Sequence, residues 1–414
     1  MSALLLALLL AQNYQAWPVG PRTSGMGGAA TALGVGSGNT LYNPAALAFS
    51  TQSTVTLSGQ VFGLEGVSLR GELGDTTSHT NVGIFVIPSN MSLEVHGLDF
   101  GPLRLSDRWG LAVSMVAPLS FAVKSTVANS DNSTTVYRDV TETTLTIYNS
   151  LSYRFSEELG FGVSIVAMYR DAATISIAQR DGADGYQSLT YLRTEHTLGH
   201  TLDFGGQWRP ANGLRVGFAT RLPLQNVVGF GSERGRVTSY DRATGAFTLA
   251  AVDRNLELKY ELPFRFNFGL AYEQPRRFAV AADVAVFTPY TYLAARDVDT
   301  GQTLLTRRLL PVVNFALGAE VWLGPRPLRF GLFTDFSPTG AVTVDGASQR
   351  IDRYGATIGT SFERPMFHSD VGLLFAAGRL QALGYDLAHG TFAPVLADGL
   401  QWRLMLTYAT VLDY

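Results

Sequence analysis

The sequence contains no cysteine and few charged residues. The absence of cysteine excludes disulfide bonds, thiolate metal ligands and cysteine nucleophiles. Charged residues make up 16% of the 414 residues, whereas soluble proteins average about 25%. The formal net charge is −3, and lysine occurs only at Lys124 and Lys259. This composition gives no electrostatic basis for nucleic-acid binding, and we expect no nucleic-acid partner.

Long apolar runs are also missing, although 46% of the residues are hydrophobic. A membrane-spanning helix needs about 18 to 20 consecutive apolar residues, and the longest apolar run covers only residues 3–11. The sequence therefore excludes a helical membrane protein. Because the apolar residues are dispersed along the chain, the period at which they recur decides the fold class.

The segment 1–16 is predicted to be a secretory signal peptide. Its apolar core, residues 3–11, has the length of a signal core and is too short to span a bilayer. The basic residues that usually precede such a core are missing, because the first Lys or Arg is Arg22. Small residues favour cleavage after Ala11 or after Ala16. An ordinary buried N-terminal helix is the alternative interpretation.

From residue 53 to the C-terminus, apolar residues alternate with small or polar ones. Along residues 262–272, Leu, Phe and Tyr occupy every second position, with Pro, Arg, Asn, Gly and Ala between them. This two-residue period is that of a β-strand with one apolar face. The other face carries many small residues and hardly any lysine, which suits a crowded lumen better than a solvated surface. An apolar face towards lipid and a small, polar interior are typical of an outer-membrane β-barrel.

The alternation predicts an all-β fold, an antiparallel transmembrane β-barrel of about 14 strands, and such barrels usually have an even strand number. Tight turns at one end and long loops at the other are typical of them. Long polar loops are predicted at 125–140 and 227–252. Tight turns are predicted at 156–157, 210–213, 274–276, 324–326 and 364–365. The predicted strands are 53–70, 79–89, 108–124, 141–156, 158–178, 192–209, 213–226, 253–273, 276–291, 303–324, 326–338, 349–364, 366–380 and 399–414.

The last predicted strand ends on an aromatic residue, Tyr414. Going back from it, every second residue is apolar or threonine as far as Trp402. A terminal aromatic residue on an amphipathic strand is the kind of C-terminus that the barrel assembly machinery recognises, so we expect that machinery as a partner during insertion. An open strand edge cannot be satisfied in lipid, and this strand must therefore pair with the first.

Residues 17–52 break the alternation and are predicted to form a hatch, or plug, inside the barrel. The segment contains Gly25-Met-Gly27-Gly28-Ala and, further on, Asn43-Pro44-Ala45-Ala-Leu. Its small residues and its length suit a barrel lumen. The first motif superficially fits a dinucleotide-binding loop, but no strand precedes it and no βαβ unit follows, so that alternative is rejected.

These two motifs, at this spacing, resemble the hatch of FadL-type outer-membrane transporters for long-chain fatty acids and aromatic hydrocarbons. The resemblance covers essentially the whole chain, with residues 109–121 similar to the third strand and residues 149–164 and 262–283 similar to later strands. It implies a hatch domain, 17–52, followed by a barrel domain, 53–414. The hatch motif is shared with a few related barrels, including PorV-like secretion components.

The resemblance implies passive uptake of a hydrophobic compound across the outer membrane of a Gram-negative bacterium. The ligand would bind at the extracellular loops, pass to an apolar chamber, and leave through a lateral gap beside the third strand once the hatch moves. Pro118 removes a ladder hydrogen bond in that strand. The family's glycine in the same strand is Ser120 here, which bears on the size of any gap.

Eight residues on the inward face are candidates for ligand contacts. Apolar residues there either pack against the hatch or line an apolar chamber; they are Val116, Met168, Phe287, Trp322 and Phe333. Inward charges either pair with one another and anchor the hatch, or hold a substrate carboxylate. The candidates for that second role are Arg215, Arg265 and Arg329.

Nothing in the sequence favours an enzyme. Glu195, His196 and His200 lie close together, but a third partner suited to a metal is not evident, and no metal site is predicted. The Ser, His and Asp residues show no spacing typical of a catalytic triad. We expect no cofactor.

Two other functions are compatible with the fold. A non-transporting, PorV-like barrel would act as a secretion or assembly component and would copurify with a protein partner. A hydrophilic porin is disfavoured by the blocking N-terminal segment. For the preferred transporter we expect a hydrophobic small-molecule ligand, contacts with outer-membrane lipid and lipopolysaccharide, and a monomer.

Overall fold

The predicted signal peptide lies mostly outside the described structure, which includes only Asn13 and Tyr14 of it. None of the helices among the described residues is long and apolar enough to cross a membrane. The computed structural model describes residues 13–14, 17–34, 40–50, 52–71, 78–96, 106–128, 133–343, 349–364, 367–385 and 394–413.

The described residues form eighteen strands in a single antiparallel sheet. Two short helices precede them, α1 (Pro21–Gly25) and a 3₁₀ helix (Pro44–Phe49). The strands are β1 (Thr54–Arg70), β2 (Ser78–His96), β3 (Trp109–Ala128), β4 (Thr134–Arg154), β5 (Leu159–Gly182), β6 (Gly185–Trp208), β7 (Leu214–Arg221), β8 (Gln225–Asp241), β9 (Phe247–Leu258), β10 (Arg265–Gln274), β11 (Phe278–Phe287), β12 (Tyr290–Asp297), β13 (Thr303–Leu309), β14 (Val312–Leu323), β15 (Arg326–Asp335), β16 (Gln349–Arg364), β17 (Phe367–Tyr385) and β18 (Pro394–Asp413).

The sheet closes into a barrel because β18 pairs with β1. The register runs from Thr54 opposite Asp413 to Arg70 opposite Asp398. At four places in the wall, two consecutive strands lie one above the other and together take the place of one long strand. These pairs are β7 with β8, β9 with β10, β11 with β12, and β13 with β14. The eighteen strands therefore occupy 14 wall positions. This confirms the predicted closed antiparallel barrel of 14 strands.

Each of these four pairs is interrupted by a proline. The breaks lie at one height, because Arg265 of β10 pairs with both Arg221 of β7 and Phe287 of β11. Proline has no N–H and cannot donate to a ladder. This proline row separates a lower wall (β7, β10, β11 and β14) from an upper wall (β8, β9, β12 and β13). Its members are Pro223, Pro263, Pro289 and Pro311.

The outer surface of the barrel is apolar. Phe268 and Leu332, both on the outward face, are 52% and 58% exposed. The C-terminal strand follows the same rule, with Leu406 and Tyr408 outside and Met405 fully buried inside. Monomeric soluble proteins rarely expose contiguous apolar surface on this scale. The predicted assignment of the two strand faces therefore agrees with the structure, and the outer face suits lipid.

The predicted long loops at 125–140 and 227–252 are wrong. β3 continues to Ala128 before β4 begins at Thr134, and only residues 242–246 separate β8 from β9. Both stretches are rich in Val, Thr and aromatic residues, which keep the ladder going even where neither face is strongly apolar. The tight turns at the other end of the barrel are confirmed where the chain is described, at 155–158, 209–213, 275–277 and 324–325.

Candidate functional site

The N-terminal segment, residues 17–34 and 40–50, lies inside the barrel. Nearly all of it is buried, and Met26, Ala29 and Leu47 have no exposed surface. Its hydrogen-bond partners lie on β6, β10, β11, β14 and β16, which belong to different sides of the wall. The chain's own N-terminal segment therefore occupies the lumen at the level of the lower wall.

Gly27 and Gly28 form a tight turn directly after Gly25, the last residue of α1. Gly27 and Gly28 have φ angles of 65° and 85°, which residues with a side chain rarely adopt. The Gly27 amide donates to Thr357 Oγ1 at 3.0 Å, and that hydroxyl donates to the Gly25 carbonyl at 2.9 Å. A Cβ on Gly27 would lie 2.9 Å from the backbone of Leu332. The turn is therefore fixed against β15 and β16.

Asn43 joins the two halves of the N-terminal segment. Its Oδ1 accepts from the Ala45 amide at 3.0 Å and caps the 3₁₀ helix, where Pro44 fills the first position without loss of a hydrogen bond. Its Nδ2 donates to the carbonyl of Thr31 at 2.8 Å and to that of Gly206 on β6 at 3.1 Å. One side chain thus ties the helix, the first half of the segment and the wall together.

Inward-facing glycines of the wall make room for the segment. A Cβ on Gly217 would meet the backbone of Thr31 and Ala32, and one on Gly331 would meet the backbone of Met26 and Gly27. Backbone atoms cannot rotate away as the end of a flexible side chain can. The small residues of the inner face are therefore explained by the segment that fills the lumen. Other glycines with such contacts are Gly162, Gly269 and Gly318, whereas a Cβ on Gly205 would meet the side chains of Asn43 and Pro44.

Arg22 holds the lower end of the segment. Its guanidinium donates to Glu320 and to Glu273, each at 2.7 Å. Burial alone would lower the pKa of Arg22, but these two carboxylates raise it, so the side chain stays charged. Arg329 of β15 donates to Glu320 at 2.6 Å and to Ser361 at 3.1 Å. A partly buried ionic chain therefore links the segment to the lower end of the barrel.

Asp283 of β11 holds the middle of the segment. Its Oδ2 accepts from the amides of Ala30 and Thr31 at 2.9 and 2.8 Å. Hydrogen bonds to an ionised acceptor are the stronger kind. Asp283 is therefore the main polar contact between β11 and the segment.

Replacing Asp283 with Leu is expected to release the amides of Ala30 and Thr31. Each hydrogen bond to a charged acceptor is worth about 1.5–3 kcal/mol, so exchange of these amides should speed up by about tenfold to a hundredfold. Hydrogen–deuterium exchange with mass spectrometry measures this. Asp283→Asn keeps an acceptor oxygen and is the control, with a smaller expected change. Unaltered exchange in the Leu variant would contradict this anchoring role.

A cavity of about 80 Å³ lies beside the segment at the height of the proline row. Phe287 forms one side, and the ring of Tyr14 stacks on it with 4.6 Å between ring centroids and 22° between ring planes. Met168 of β5 and Arg265 of β10 also line it. We call this space the central cavity. It has an apolar, aromatic side and a polar side.

A buried ion pair forms part of the polar side. Nε and Nη2 of Arg221 each lie 2.7 Å from the carboxylate of Asp203, and Nη2 also donates to the Tyr148 hydroxyl at 2.9 Å. Nη2 of Arg265 lies 3.6 Å from the same carboxylate and donates to the Leu41 carbonyl at 3.1 Å. The pair therefore connects the cavity wall with the N-terminal segment.

A second, smaller cavity of about 30 Å³ lies towards the upper wall. Tyr14 and Tyr260 line both cavities, so Tyr14 stands between them. Glu195, in the wall of the smaller cavity, accepts from Arg170 and from Arg193, each at 2.6 Å. The upper lumen is therefore strongly polar, in contrast to the Phe287 side of the central cavity.

Those contacts also bear on the possible metal ligands. Glu195 faces inward and is engaged by two arginines, whereas the ring of His196 lies outside, 5.2 Å from that of Phe230. Within the described ranges, no group of three His, Asp or Glu side chains is placed to hold a metal ion.

Three of the eight candidate ligand contacts line the central cavity, namely Met168, Phe287 and Arg265. Sequence reasoning missed Tyr14, because it lies within the predicted signal peptide. It also missed Asn267 and Asn314, although the alternation does show that their side chains face inward.

The other five candidates lie elsewhere in the lumen. Val116 packs in a buried cluster with Val19, and the ring of Phe333 meets that of Trp17 edge-on at 6.3 Å. Both therefore contact the N-terminal segment. The remaining three lie at the lower end of the barrel, beside the ionic chain of Arg22; they are Trp322, Arg215 and Arg329.

The ladder between β2 and β3 is incomplete. Only residues 110–116 of β3 pair with β2, although both strands continue as described strands beyond that point. There, β3 carries a one-residue bulge at Ala117 and Pro118 relative to β4, and β2 carries one at Ser89 relative to β1. Bulges bend strands and end pairing. Ser120 lies just beyond, opposite Thr143 of β4.

No protein-family model and no curated protein matches the sequence. Solved structures do match it. A Pseudomonas aeruginosa FadL homologue has a TM-score of 0.64 at 13% identity, covering 98% of this chain and 99% of that one. The P. putida toluene transporter TodX has a TM-score of 0.64 at 14% identity, covering 96% of this chain and 99% of that one. The CymD monoaromatic hydrocarbon channel has a TM-score of 0.58 at 15% identity, covering 96% of this chain and 97% of that one. At these identities the similarity establishes the fold, and at that level the resemblance to FadL-type barrels is confirmed.

Proposed function

We propose that this FadL-like barrel is an outer-membrane channel for the passive uptake of hydrophobic compounds. The proposal rests on one arrangement: an apolar-surfaced barrel filled by its own N-terminal segment, which leaves the central cavity beside Phe287 and Met168 as an aromatic-sided space for a ligand. The names of the similar structures, a FadL homologue and a toluene transporter, support the same class of cargo. Long-chain fatty acids, related lipids and aromatic hydrocarbons are the compounds to test first.

In this proposal the N-terminal segment acts as the hatch. Asp283 and Arg22 hold it through hydrogen bonds and ion pairs, which can break and re-form without unfolding the barrel. A ligand that enters from the upper wall passes the smaller cavity and stops at the central cavity, since the segment blocks the lower lumen. A hydrophilic porin would need an open lumen, so the filled one argues against that function.

Release through the wall is the second part of the proposal. An apolar ligand gains free energy by entering lipid rather than water. The unpaired stretch of β2 and β3 above residues 110–116 is where a lateral opening would require the fewest broken hydrogen bonds. Pro118 supports this, because it cannot donate to a ladder.

Deleting Pro118 is expected to reduce uptake several-fold. The deletion removes the extra residue between Val116 and Leu119, so β3 and β4 pair in one register and the bulge disappears. A straighter wall closes the lateral route and leaves the central cavity intact. Uptake of a labelled fatty acid and of labelled toluene by cells producing the variant is the measurement. Pro118→Ala keeps the bulge and is the control, and normal uptake after the deletion would exclude this exit.

The mature chain is expected to begin after Ala11 rather than after Ala16. Asn13 Nδ2 donates to the Asp335 carbonyl at 2.9 Å, and Tyr14 packs in the central cavity. Cleavage after Ala16 would remove both contacts. The intact mass of the purified protein distinguishes the two products, and a mass that corresponds to cleavage after Ala16 would contradict the expectation.

Mass spectrometry of small molecules carried by the detergent-purified protein tests the proposed function. A bound hydrophobic compound supports it, whereas a stable protein partner and no apolar ligand would favour the PorV-like alternative. The same preparation shows whether the barrel is a monomer. Location in the outer membrane, insertion by the barrel assembly machinery, and contacts with lipid and lipopolysaccharide follow from the proposed function as further expectations.

A further inference from the structure

Several side chains that line the central cavity carry a buried polar atom that has no hydrogen-bond partner in the protein. Four of the side chains concerned are at least nine-tenths buried: Asn13, Thr144, Asn267 and Asn314. Among the described residues, the side chains that line the cavity and carry such an atom include those with Asn13 Oδ1, Tyr14 Oη, Thr144 Oγ1, Arg265 Nε, Asn267 Oδ1 and Asn314 Nδ2.

Unpartnered polar atoms at this density are costly. Leaving a buried donor or acceptor unsatisfied loses its full interaction with water, and proteins pair most such groups. A pure hydrocarbon in the central cavity would leave all of these atoms unsatisfied. A ligand with a polar group that both donates and accepts could pair with an acceptor such as Asn267 Oδ1 or with a donor such as Asn314 Nδ2.

The charges around the central cavity balance. The Asp203 carboxylate lies 2.7 Å from Arg221 and 3.6 Å from Arg265, and Asp283 also lines the cavity, so two positive and two negative side chains lie around it. A carboxylate ligand would add an uncompensated negative charge to a buried site, which is strongly unfavourable. The cavity therefore suits a neutral polar group better than the carboxylate of a fatty acid.

The central cavity is too small for an aromatic ring unless Tyr14 moves, and its size then limits the ligand to about one ring. An apolar cavity that holds benzene has a volume of about 150 Å³, and the central cavity measures about 80 Å³. The ring of Tyr14 occupies the face of Phe287 and separates the central cavity from the smaller one. Displacement of Tyr14 would free an aromatic stacking surface and join the two spaces.

We propose that the central cavity selects small, neutral, oxygen-bearing aromatic compounds of phenol type over both unsubstituted hydrocarbons and carboxylates. The ring stacks on Phe287 in place of Tyr14, and the hydroxyl group bonds with the partnerless side chains, Thr144 among them. This ligand class rests on the transport function proposed above and narrows it.

Thr144 provides a clean test, because its hydroxyl has no partner to lose. Thr144→Val keeps the shape of the side chain and removes only the polar atom. Thr146 lies two residues further along β4, is also fully buried and also has an unpartnered hydroxyl, but it does not line the central cavity. Thr146→Val is therefore the matched control.

The probes are 4-methylphenol, toluene and 4-methylbenzoate, titrated into the full-length purified protein with detergent alone as the blank. Thr144→Val should weaken the binding of 4-methylphenol relative to that of toluene by about threefold to tenfold, which is the contribution of one neutral hydrogen bond. Thr146→Val should leave the ratio of the two affinities unchanged. Comparing ratios between variants cancels the different partitioning of the probes into detergent.

Two results would overturn the inference. One is a ratio of affinities that Thr144→Val does not alter, and the other is 4-methylbenzoate binding more tightly than 4-methylphenol. If cells still take up a hydrophobic compound in either case, the proposed transport function stands and only the ligand class is wrong. If no compound is taken up or carried at all, the transport function fails as well.

Discussion

Substituting valine for Gly217 and Gly331 together is expected to expel the N-terminal segment and turn the barrel into an open pore. Each new Cβ would meet the backbone of the segment, around Thr31 in one case and Gly27 in the other. Overpacking costs about 1–3 kcal/mol even where side chains can shift, and here backbone lies in the way. An emptied lumen of this width fills with water and conducts ions.

Conductance in planar bilayers measures this, with the wild-type barrel expected to stay closed and the variant to show open steps. Gly206→Ala is the control, because Gly206 is on the outer face and its Cβ would meet nothing nearer than 3.6 Å. The heat-dependent gel migration of a folded barrel shows that the wall is intact. A folded double variant that stays closed would contradict the view that the segment seals the lumen.

Replacing Arg221 with Met is expected to give a large loss of stability. It leaves the carboxylate of Asp203, 1% exposed, with only Arg265 at 3.6 Å in place of its 2.7 Å partner. Breaking a buried ion pair on one side costs about 3–5 kcal/mol. Urea unfolding of the barrel in lipid vesicles, followed by tryptophan fluorescence, measures the change.

Two further variants show whether burial causes this loss. Arg234 pairs with Asp253 at 3.3 Å on the outer surface, where both side chains are more than half exposed, and Arg234→Met should cost only about 0–1 kcal/mol. The double change Arg221→Met with Asp203→Leu should recover much of the stability, because it leaves no unpaired carboxylate. Equal losses for Arg221→Met and Arg234→Met would contradict the explanation.

The strand count could be predicted because lipid and lumen impose opposite demands on alternate residues. Phe268 and Leu332 face lipid and must be apolar, while Gly269 and Gly331 face the segment and must be small. This demand acts on each strand separately, so it can be read from the sequence alone. The ends of β3, β4, β8 and β9 at the upper end of the barrel could not be predicted. Above the apolar part of the outer surface, alternate residues no longer have to be apolar.

The proline row was visible in the sequence, but its meaning was not. Pro263 and Pro289 lie within stretches predicted as continuous strands, and a proline at a strand edge or bulge is tolerated. Only the register shows that the breaks share one height, since Arg265 pairs with both Arg221 and Phe287. Register between strands depends on the closed barrel and cannot be read from any one segment.

The central cavity was only partly predictable for a related reason. The alternation shows that Phe287 and Trp322 both face inward, but it does not give their heights, and only Phe287 reaches the cavity. The contribution of Tyr14 depends on the path of the N-terminal segment through the lumen. That path is set by contacts such as Asp283 with Ala30, which join residues far apart in sequence.

Uptake across the outer membrane is the most direct test of the central claim. Accumulation of labelled long-chain fatty acids and small aromatic compounds would be compared in cells lacking the gene and in the same cells producing the protein again. The proposed function predicts that uptake of at least one of these compounds falls on deletion and recovers with the wild-type protein. Unchanged uptake of every compound, together with a purified barrel that carries no apolar molecule, would contradict it.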